Sequence, residues 1–278
     1  MQKIKTNIDL RSVLVPLTIK AFIIVMTALL PGCSGLKHVP EGQVLYTGAE
    51  IKLKPSGRVT AKRGIKELMD QNISPRPNTS IFGMRPGVWF YYMAGETKRK
   101  KGFRHFIKNK LGQVPIYMSD VDAERTTLLL KGHLKNNGFF QANVESKEKI
   151  DGKTGKVIYT AAVHAPYRVR TVTYPELDTL FRNIDSIKND SYLKKGQRYN
   201  LERLQAEQAR IEEALENMGF YFFDDRHLIF EADSTVGDRQ VDLLLKLEPG
   251  VPAKATRIYR LGRVSVYPNY TLSRDTTI

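Results

Sequence analysis

Residues 201–223 read LERLQAEQARIEEALENMGFYFF, and this stretch decides the fold. Leu201, Leu204, Ile211, Leu215 and Met218 fall at helical spacings and form one apolar stripe. The stripe stops at Gly219, a residue free to take the left-handed conformation that ends a helix. The aromatics Phe220, Tyr221, Phe222 and Phe223 follow. A polar turn then separates two strands. In the second, Val241, Leu243, Leu245 and Leu247 alternate with Asp242 and Lys246, the period of a half-buried strand.

The same plan occurs earlier in the chain. Residues 121–137 read as a helix, with Ser119 and Asp122 as a capping-box pattern before it. Gly138 ends that helix, Phe139 and Phe140 follow, and Phe140, Ala142 and Val144 alternate with Gln141, Asn143 and Glu145 as a strand. Asp151-Gly152 and Thr154-Gly155 supply a turn before a second strand at 157–163. Gly138 and Gly219 stand 81 positions apart, and RTVTYP at 170–175 is echoed by RVSVYP at 263–268. Two recurrences in the same order predict a duplicated domain.

The remaining pieces fit this plan. A strand is expected at 44–55 and a helix at 60–71 that buries Ile65, Leu68 and Met69. Residues 72–118 follow neither period, contain Pro75, Pro77 and Pro86, and are expected to form short helices near 86–93 and 102–111. In the second copy, 167–175 is the leading strand, and Leu177, Leu180, Phe181, Ile184 and Ile187 mark a first helix. Each copy thus runs strand–helix–helix–strand–strand, an α+β fold. The expected division is 1–32 signal, 33–42 tether, 43–165 first domain with an insertion around 72–118, and 166–250 second domain. A third repeat is expected to start at 257 and be cut off at 278.

Composition narrows the partners. The formal charge is +15; without residues 1–32, 40 Lys and Arg remain against 28 Asp and Glu, or +12. Such a balance suits an anionic partner, a lipid surface or nucleic acid. The single cysteine excludes an internal disulfide framework and a cysteine-based zinc site. The five histidines (His38, His105, His133, His164 and His227) include no i, i+4 pair suited to a helical metal site. No phosphate-cradling loop or nucleophile elbow occurs, and no cofactor is expected.

Lys3, Lys5, Arg11 and Lys20 precede the uncharged apolar run at 21–30, which is short for a membrane span but suits an export signal. The run ends at Leu30-Pro31-Gly32-Cys33. This resembles a bacterial lipobox, which implies cleavage before Cys33 and lipidation of that residue. Ser34 after the cysteine then implies transfer to the outer membrane.

The repeat, with Gly-aromatic after its second helix, resembles the polypeptide-transport-associated (POTRA) domain. Joined to the lipobox, it resembles the lipoprotein branch of the BamA/TamA assembly factors of Bacteroidetes, often labelled TamL. CSGLKHVPEG at 33–42, the stretches around Pro77-Asn78 and Leu111–Pro115, and LKNNGF and LENMGF at 134–139 and 215–220 carry that resemblance. It implies repeats in the periplasm, unfolded outer-membrane protein clients, other assembly-machinery subunits as partners, and no enzymatic activity. It also implies a C-terminal barrel, which these residues do not include.

Binding would rest on backbone pairing, because an edge strand of a three-stranded sheet accepts an extended segment by β-augmentation. The candidate edge residues are Phe139, Phe140, Ala142, Val144, Phe222, Leu228 and Phe230. The basic run Lys98, Arg99, Lys100, Lys101 and Arg104 is the candidate contact to anionic lipid headgroups. It could instead be a solvated helical face. Nucleic acid with Trp89–Tyr92 stacking on bases is disfavoured by export. Two rival functions are a lipid-anchored scaffold docking one fixed partner and an enzyme with its site in 72–118.

Overall fold

The computed structural model describes residues 36–57, 59, 62–96, 102–175, 184–266 and 268. Cys33, the run Lys98, Arg99, Lys100 and Lys101, and the helix positions Leu177, Leu180 and Phe181 lie outside the described residues. The chain divides into two compact units. The first takes residues up to 54 together with 61–131 and 143–162; the second takes 55–60, 132–142 and everything from 163.

The first unit holds strand β1 (Leu45–Pro55), helix α1 (Lys62–Gln71), helix α2 (Pro86–Ala94), a short helix α3 (Phe103–Phe106) and a π-helical turn (Ile107–Leu111). Most of helix α4 (Ala123–Asn136) and the hairpin β2 (Asn143–Asp151) and β3 (Thr154–Val163) follow. The sheet order is β1-β3-β2. Burial alternates along β3, where Gly155, Val157, Tyr159, Ala161 and Val163 face inward. Helix α1 buries Ile65 and Met69, and α4 buries Thr126, Leu130 and Leu134 at intervals of four. These three lie on one face of a helix, the face a sheet can cover.

Three local expectations need correction. The helix begins after Asp122, whose carboxylate accepts from the Arg125 N–H at 2.8 Å. Ser119 sits instead in a short 3₁₀ turn (Met118–Asp120). Thr154 and Gly155 belong to β3, because a two-residue loop, Gly152-Lys153, already closes the hairpin. Gly155 is needed there for contact: a Cβ would lie 2.7 Å from Met118 Cγ. The expected helix at 102–111 widens at Ile107 into the π turn, so its hydrogen-bond period changes midway.

The insertion is held by a clasp between the two segments singled out in the sequence. Asn78 Nδ2 donates to the Val114 carbonyl at 2.8 Å, and the Ile116 N–H donates to Asn78 Oδ1 at 3.0 Å. The Thr79 N–H donates to Gln113 Oε1, and Gln113 Nε2 donates to Thr79 Oγ1, both at 2.9 Å. A nearly buried asparagine thus plays the part of a missing strand neighbour.

The second unit holds β4 (Arg168–Thr173), α5 (Ile184–Asn189), α6 (Leu201–Asn217), β5 (Leu228–Asp233) and β6 (Gln240–Leu247). Its sheet order is β4-β6-β5, with β4 parallel and β5 antiparallel to β6. The stripe of α6 (Leu204, Ile211 and Leu215) is buried against Val241, Leu243 and Leu245 of β6 and against Phe220 and Phe223. Asn200 caps α6 by accepting from the Arg203 N–H. Residues 257–266 pair with no strand among the described residues, and Leu261, Val264 and Val266 are exposed. A strand is stable only when its backbone groups find a neighbour.

Arg170 on β4 grips Asp242 on β6, with Arg170 Nε donating to Oδ1 at 2.8 Å and Thr171 Oγ1 adding a bond. The Arg170 and Thr171 bonds hold the Asp242 carboxyl down at about 2. A depressed carboxylate contributes stability above its unfolded value, near ~3.9, and loses it as pH falls through the folded value. Asp242→Asn should therefore lower the urea midpoint at pH 6. That difference should shrink between about pH 4 and pH 2, as measured by denaturation at stepped pH.

Candidate functional site

Among the described residues, each sheet has one edge covered by backbone from elsewhere in the chain and one left open. In the second unit the Val169 N–H donates to the Gln197 carbonyl and the Gly196 N–H to the Val169 carbonyl, so residues 196–198 cover β4. In the first, the Tyr46 N–H donates to the Ile116 carbonyl and the Met118 N–H to the Val44 carbonyl, which covers the start of β1. The outer sides of β2 and β5 have no backbone partner among the described residues.

Register identifies the open groups. The Glu248 N–H donates to the His227 carbonyl, and these residues lie directly opposite one another in the β5–β6 ladder. Hydrogen-bonded pairs in an antiparallel ladder recur at every second residue. Ile229, Glu231 and Asp233 therefore bond to β6, while Leu228, Phe230 and Ala232 turn their N–H and C=O outward. The Leu228 carbonyl already accepts from Gln208 Nε2 at 2.5 Å. Phe230 and Ala232 are left open. On β2 the two-residue loop makes Asp151 and Thr154 the closing bonded pair, so Val144, Ser146, Glu148 and Ile150 face outward.

Of the seven candidate edge residues, Val144, Leu228 and Phe230 lie on the open strands. Phe139, Phe140 and Ala142 do not. After Gly138 the chain makes a turn, with the Ala142 N–H donating to the Phe139 carbonyl, and β2 begins only at Asn143. Phe139 and Ala142 are buried, and Phe140 packs on Tyr167 and Tyr199 with ring centroids 4.7 and 4.8 Å away. Phe222 likewise precedes β5 and meets Tyr259 edge-on at 5.0 Å.

The two edges differ in charge. Strand β2 carries Glu145, Lys147, Glu148, Lys149 and Asp151, an alternation that discourages unspecific pairing. Strand β5 pairs Glu231 with Lys246 at 2.6 Å and presents the half-exposed Ile229. The hydroxyl and N–H of Thr235 hold the Asp233 carboxyl below its ordinary range.

Arg104 is exposed on α3. Trp89, Phe90, Tyr91 and Tyr92 are half-buried, and the Tyr92 and Tyr117 hydroxyls share a 2.6 Å hydrogen bond. Burial first, and that bond second, push the Tyr92 hydroxyl up. Tyr92 packs on the cluster of Val39, Leu45 and Val88.

A residue missed in the sequence is Glu207, fully buried on α6. Its carboxylate accepts from Tyr174 Oη at 3.0 Å, from the Tyr192 N–H at 2.8 Å, and from Arg210 Nη2 and Nε at 2.7 and 3.0 Å. Arg210 also donates to the Ile187 carbonyl at 2.7 Å. Burial pushes the Glu207 carboxyl up, but the bonds from Arg210, the Tyr192 N–H and Ser191 outweigh it and leave the net value lowered. Both oxygens are occupied, so this group ties α5 and its following loop to α6. The detectable signal was a carboxylate three residues after Leu204 and four before Ile211, on the apolar stripe itself.

Residues 184–250 match the POTRA family model, "Surface antigen variable number repeat". No curated protein matches the sequence. Among solved structures, POTRA1-2 of the periplasmic domain of Omp85 from Anabaena is 16% identical, with 75% of this chain and 98% of that one covered and a TM-score of 0.36. A Haemophilus ducreyi BamA lacking POTRA domains 1–3 is 11% identical (72% and 28% covered, TM-score 0.37). CdiB from Escherichia coli is 8% identical (76% and 28% covered, TM-score 0.25). The chain spans 28% of those two proteins. Both units follow the α+β order strand–helix–helix–strand–strand, the first with short helices inserted between its two long ones, and no described helix is long and apolar enough to cross a membrane.

Proposed function

We propose that this chain is the periplasmic client-binding arm of an outer-membrane protein assembly or translocation factor. In this reading it belongs to the TamL-like lipoprotein branch and is held to the membrane through Cys33. The observation that carries the proposal is the open side of β5, where the N–H and C=O groups of Phe230 and Ala232 point away from β6. An extended client segment would add a fourth strand there, and β2 would offer a second, more highly charged edge.

Magnitudes fit a transient receptor. Four main-chain bonds at roughly 1 kcal/mol net each amount to about 4 kcal/mol, a millimolar-class affinity. Main-chain pairing asks little of client sequence, which suits a receptor for many unfolded barrel precursors. The role is binding, with no chemical step.

A photocrosslinking residue at Ile229, whose side chain flanks the open edge, tests this in cells. Adducts with several different outer-membrane precursors are expected. A single stoichiometric adduct with one folded protein would favour a fixed-partner scaffold instead.

A further inference from the structure

We infer that the insertion is a membrane-surface element, with Phe103 and Phe106 of α3 entering the interface of an anionic bilayer among the surrounding cations. The inference rests on the lipid-anchored reading above and adds a second point of attachment to it.

Exposure is the first support. Phe103 is 78% and Phe106 53% exposed, three residues apart on one helical face, and neither is covered by another described element. Side by side, the two rings form one apolar patch within a basic stretch. Charge is the second. Residues 96–111 carry seven Lys and Arg and one acid, Glu96. Of the described cations, Arg104 and Lys110 are exposed, and Lys108 is held by the Gly95 carbonyl at 2.9 Å and over the Tyr91 ring at 4.7 Å. Aromatic rings among Lys and Arg match the boundary between acyl chains and anionic headgroups.

Position is the third support. Leu36 packs on the cluster of Val39, Leu45 and Val88, and His38 meets the Tyr92 ring at 6.0 Å. The start of the described chain thus rests on α2. The segment that follows the π turn rests on α2 as well: the Gln113 N–H donates to the Gly87 carbonyl, and a Cβ on Gly112 would lie 3.1 Å from Tyr91 Cα. Leu36 lies three positions after Cys33, a reach of about 10 Å at most. A lipid on Cys33 would therefore bring the bilayer to the same scaffold that carries Phe103 and Phe106.

The test places an indole at the site in the full chain, Phe103→Trp in a Trp89→Phe background, and reads its fluorescence with phosphatidylglycerol or phosphatidylcholine vesicles. With phosphatidylglycerol the emission should shift to the blue and fall at least twofold when the acyl chains are brominated. Phosphatidylcholine should do neither. Adding Arg104→Gln, Lys108→Gln and Lys110→Gln should abolish the effect, whereas Leu128→Trp on the exposed side of α4 should show no quenching. Absence of quenching at position 103, or equal quenching with both lipids, would overturn the inference. So would an effect that vanishes in the Cys33→Ala chain, since tethering alone would then explain it. Lipid quenching without client adducts at Ile229 would leave this surface standing while the client reading fell, and the opposite pattern would do the reverse.

Discussion

Glu207→Ala is expected to lower the unfolding free energy of the second unit by about 3–5 kcal/mol, the usual loss when one partner of a buried ion pair is removed. The carboxylate is fully buried and receives four bonds, while Arg210 is only 13% exposed on its side chain. Truncation leaves the Tyr192 N–H without its acceptor and the guanidinium with only the Ile187 carbonyl, while the Tyr174 hydroxyl falls back on Ser191 Oγ. Glu207→Gln keeps the shape but not the charge and should lose less. The pair also sets a pH dependence. The folded carboxyl lies below its ordinary value, so its contribution is present above about pH 4.3 and is lost as pH falls through the folded value. Urea unfolding followed by a probe in the second unit should show the deficit of Glu207→Ala at pH 7 narrowing in acid. Equal stability of variant and wild type at pH 7 would mean that the network contributes nothing net.

Gly138→Ala carries the second large effect, about 2–4 kcal/mol. Gly138 has φ +84°, a region costing an L-residue about 1–2 kcal/mol, and its Cβ would lie 2.9 Å from the Tyr199 carbonyl oxygen and 3.2 Å from that of Tyr167. Backbone atoms cannot swing aside as a side-chain tip can. The same construction recurs at Gly219, with φ +100° and the Tyr259 carbonyl oxygen at 2.9 Å. In both places the glycine carbonyl accepts from the tyrosine N–H, Tyr167 at 2.8 Å and Tyr259 at 2.7 Å. Gly152→Ala is the control: its φ is +55° and a Cβ there meets nothing within 4 Å. It should cost only about 1 kcal/mol, so the thermal midpoint should fall markedly further for Gly138→Ala than for Gly152→Ala.

Those two glycines also show what the sequence makes legible. The Gly138 N–H bonds to the Lys135 carbonyl and the Phe139 N–H to the Leu134 carbonyl; Gly219 and Phe220 repeat both bonds to Glu216 and Leu215, 81 residues on. A paired-bond helix ending of this kind needs a glycine and a following apolar residue, and both are visible as letters. The alternation of β6 and the stripe of α6 are legible for the same reason: one period, one buried face. The start of β2 was not. Phe140, Ala142 and Val144 alternate like strand residues, yet Ala142 is buried in a turn with Phe139, and only Val144 reaches the strand. Glu207 was hidden because a carboxylate on a helix reads as solvated until its donors, from residues 174, 192 and 210, are brought together. Which edge of each sheet is open depended on the distant segments 116–118 and 196–198, and no local pattern announces them.

The central claim is that client segments pair with the main chain of β5, and Ala232→Pro tests it most directly. The Ala232 N–H points away from β6, so proline removes an outward donor while leaving the β5–β6 ladder intact, as at edge strands generally. The measurement is a titration of the full chain with an extended peptide from a barrel precursor, read by amide shifts at Phe230 and Ile229. The wild-type chain should bind weakly, with shifts confined to β5 and its neighbours, and Ala232→Pro should reduce the affinity about fivefold, the loss of one main-chain bond, while its spectrum stays folded. Unchanged binding by a folded Ala232→Pro chain would contradict the account, because the peptide would then be held by side chains elsewhere.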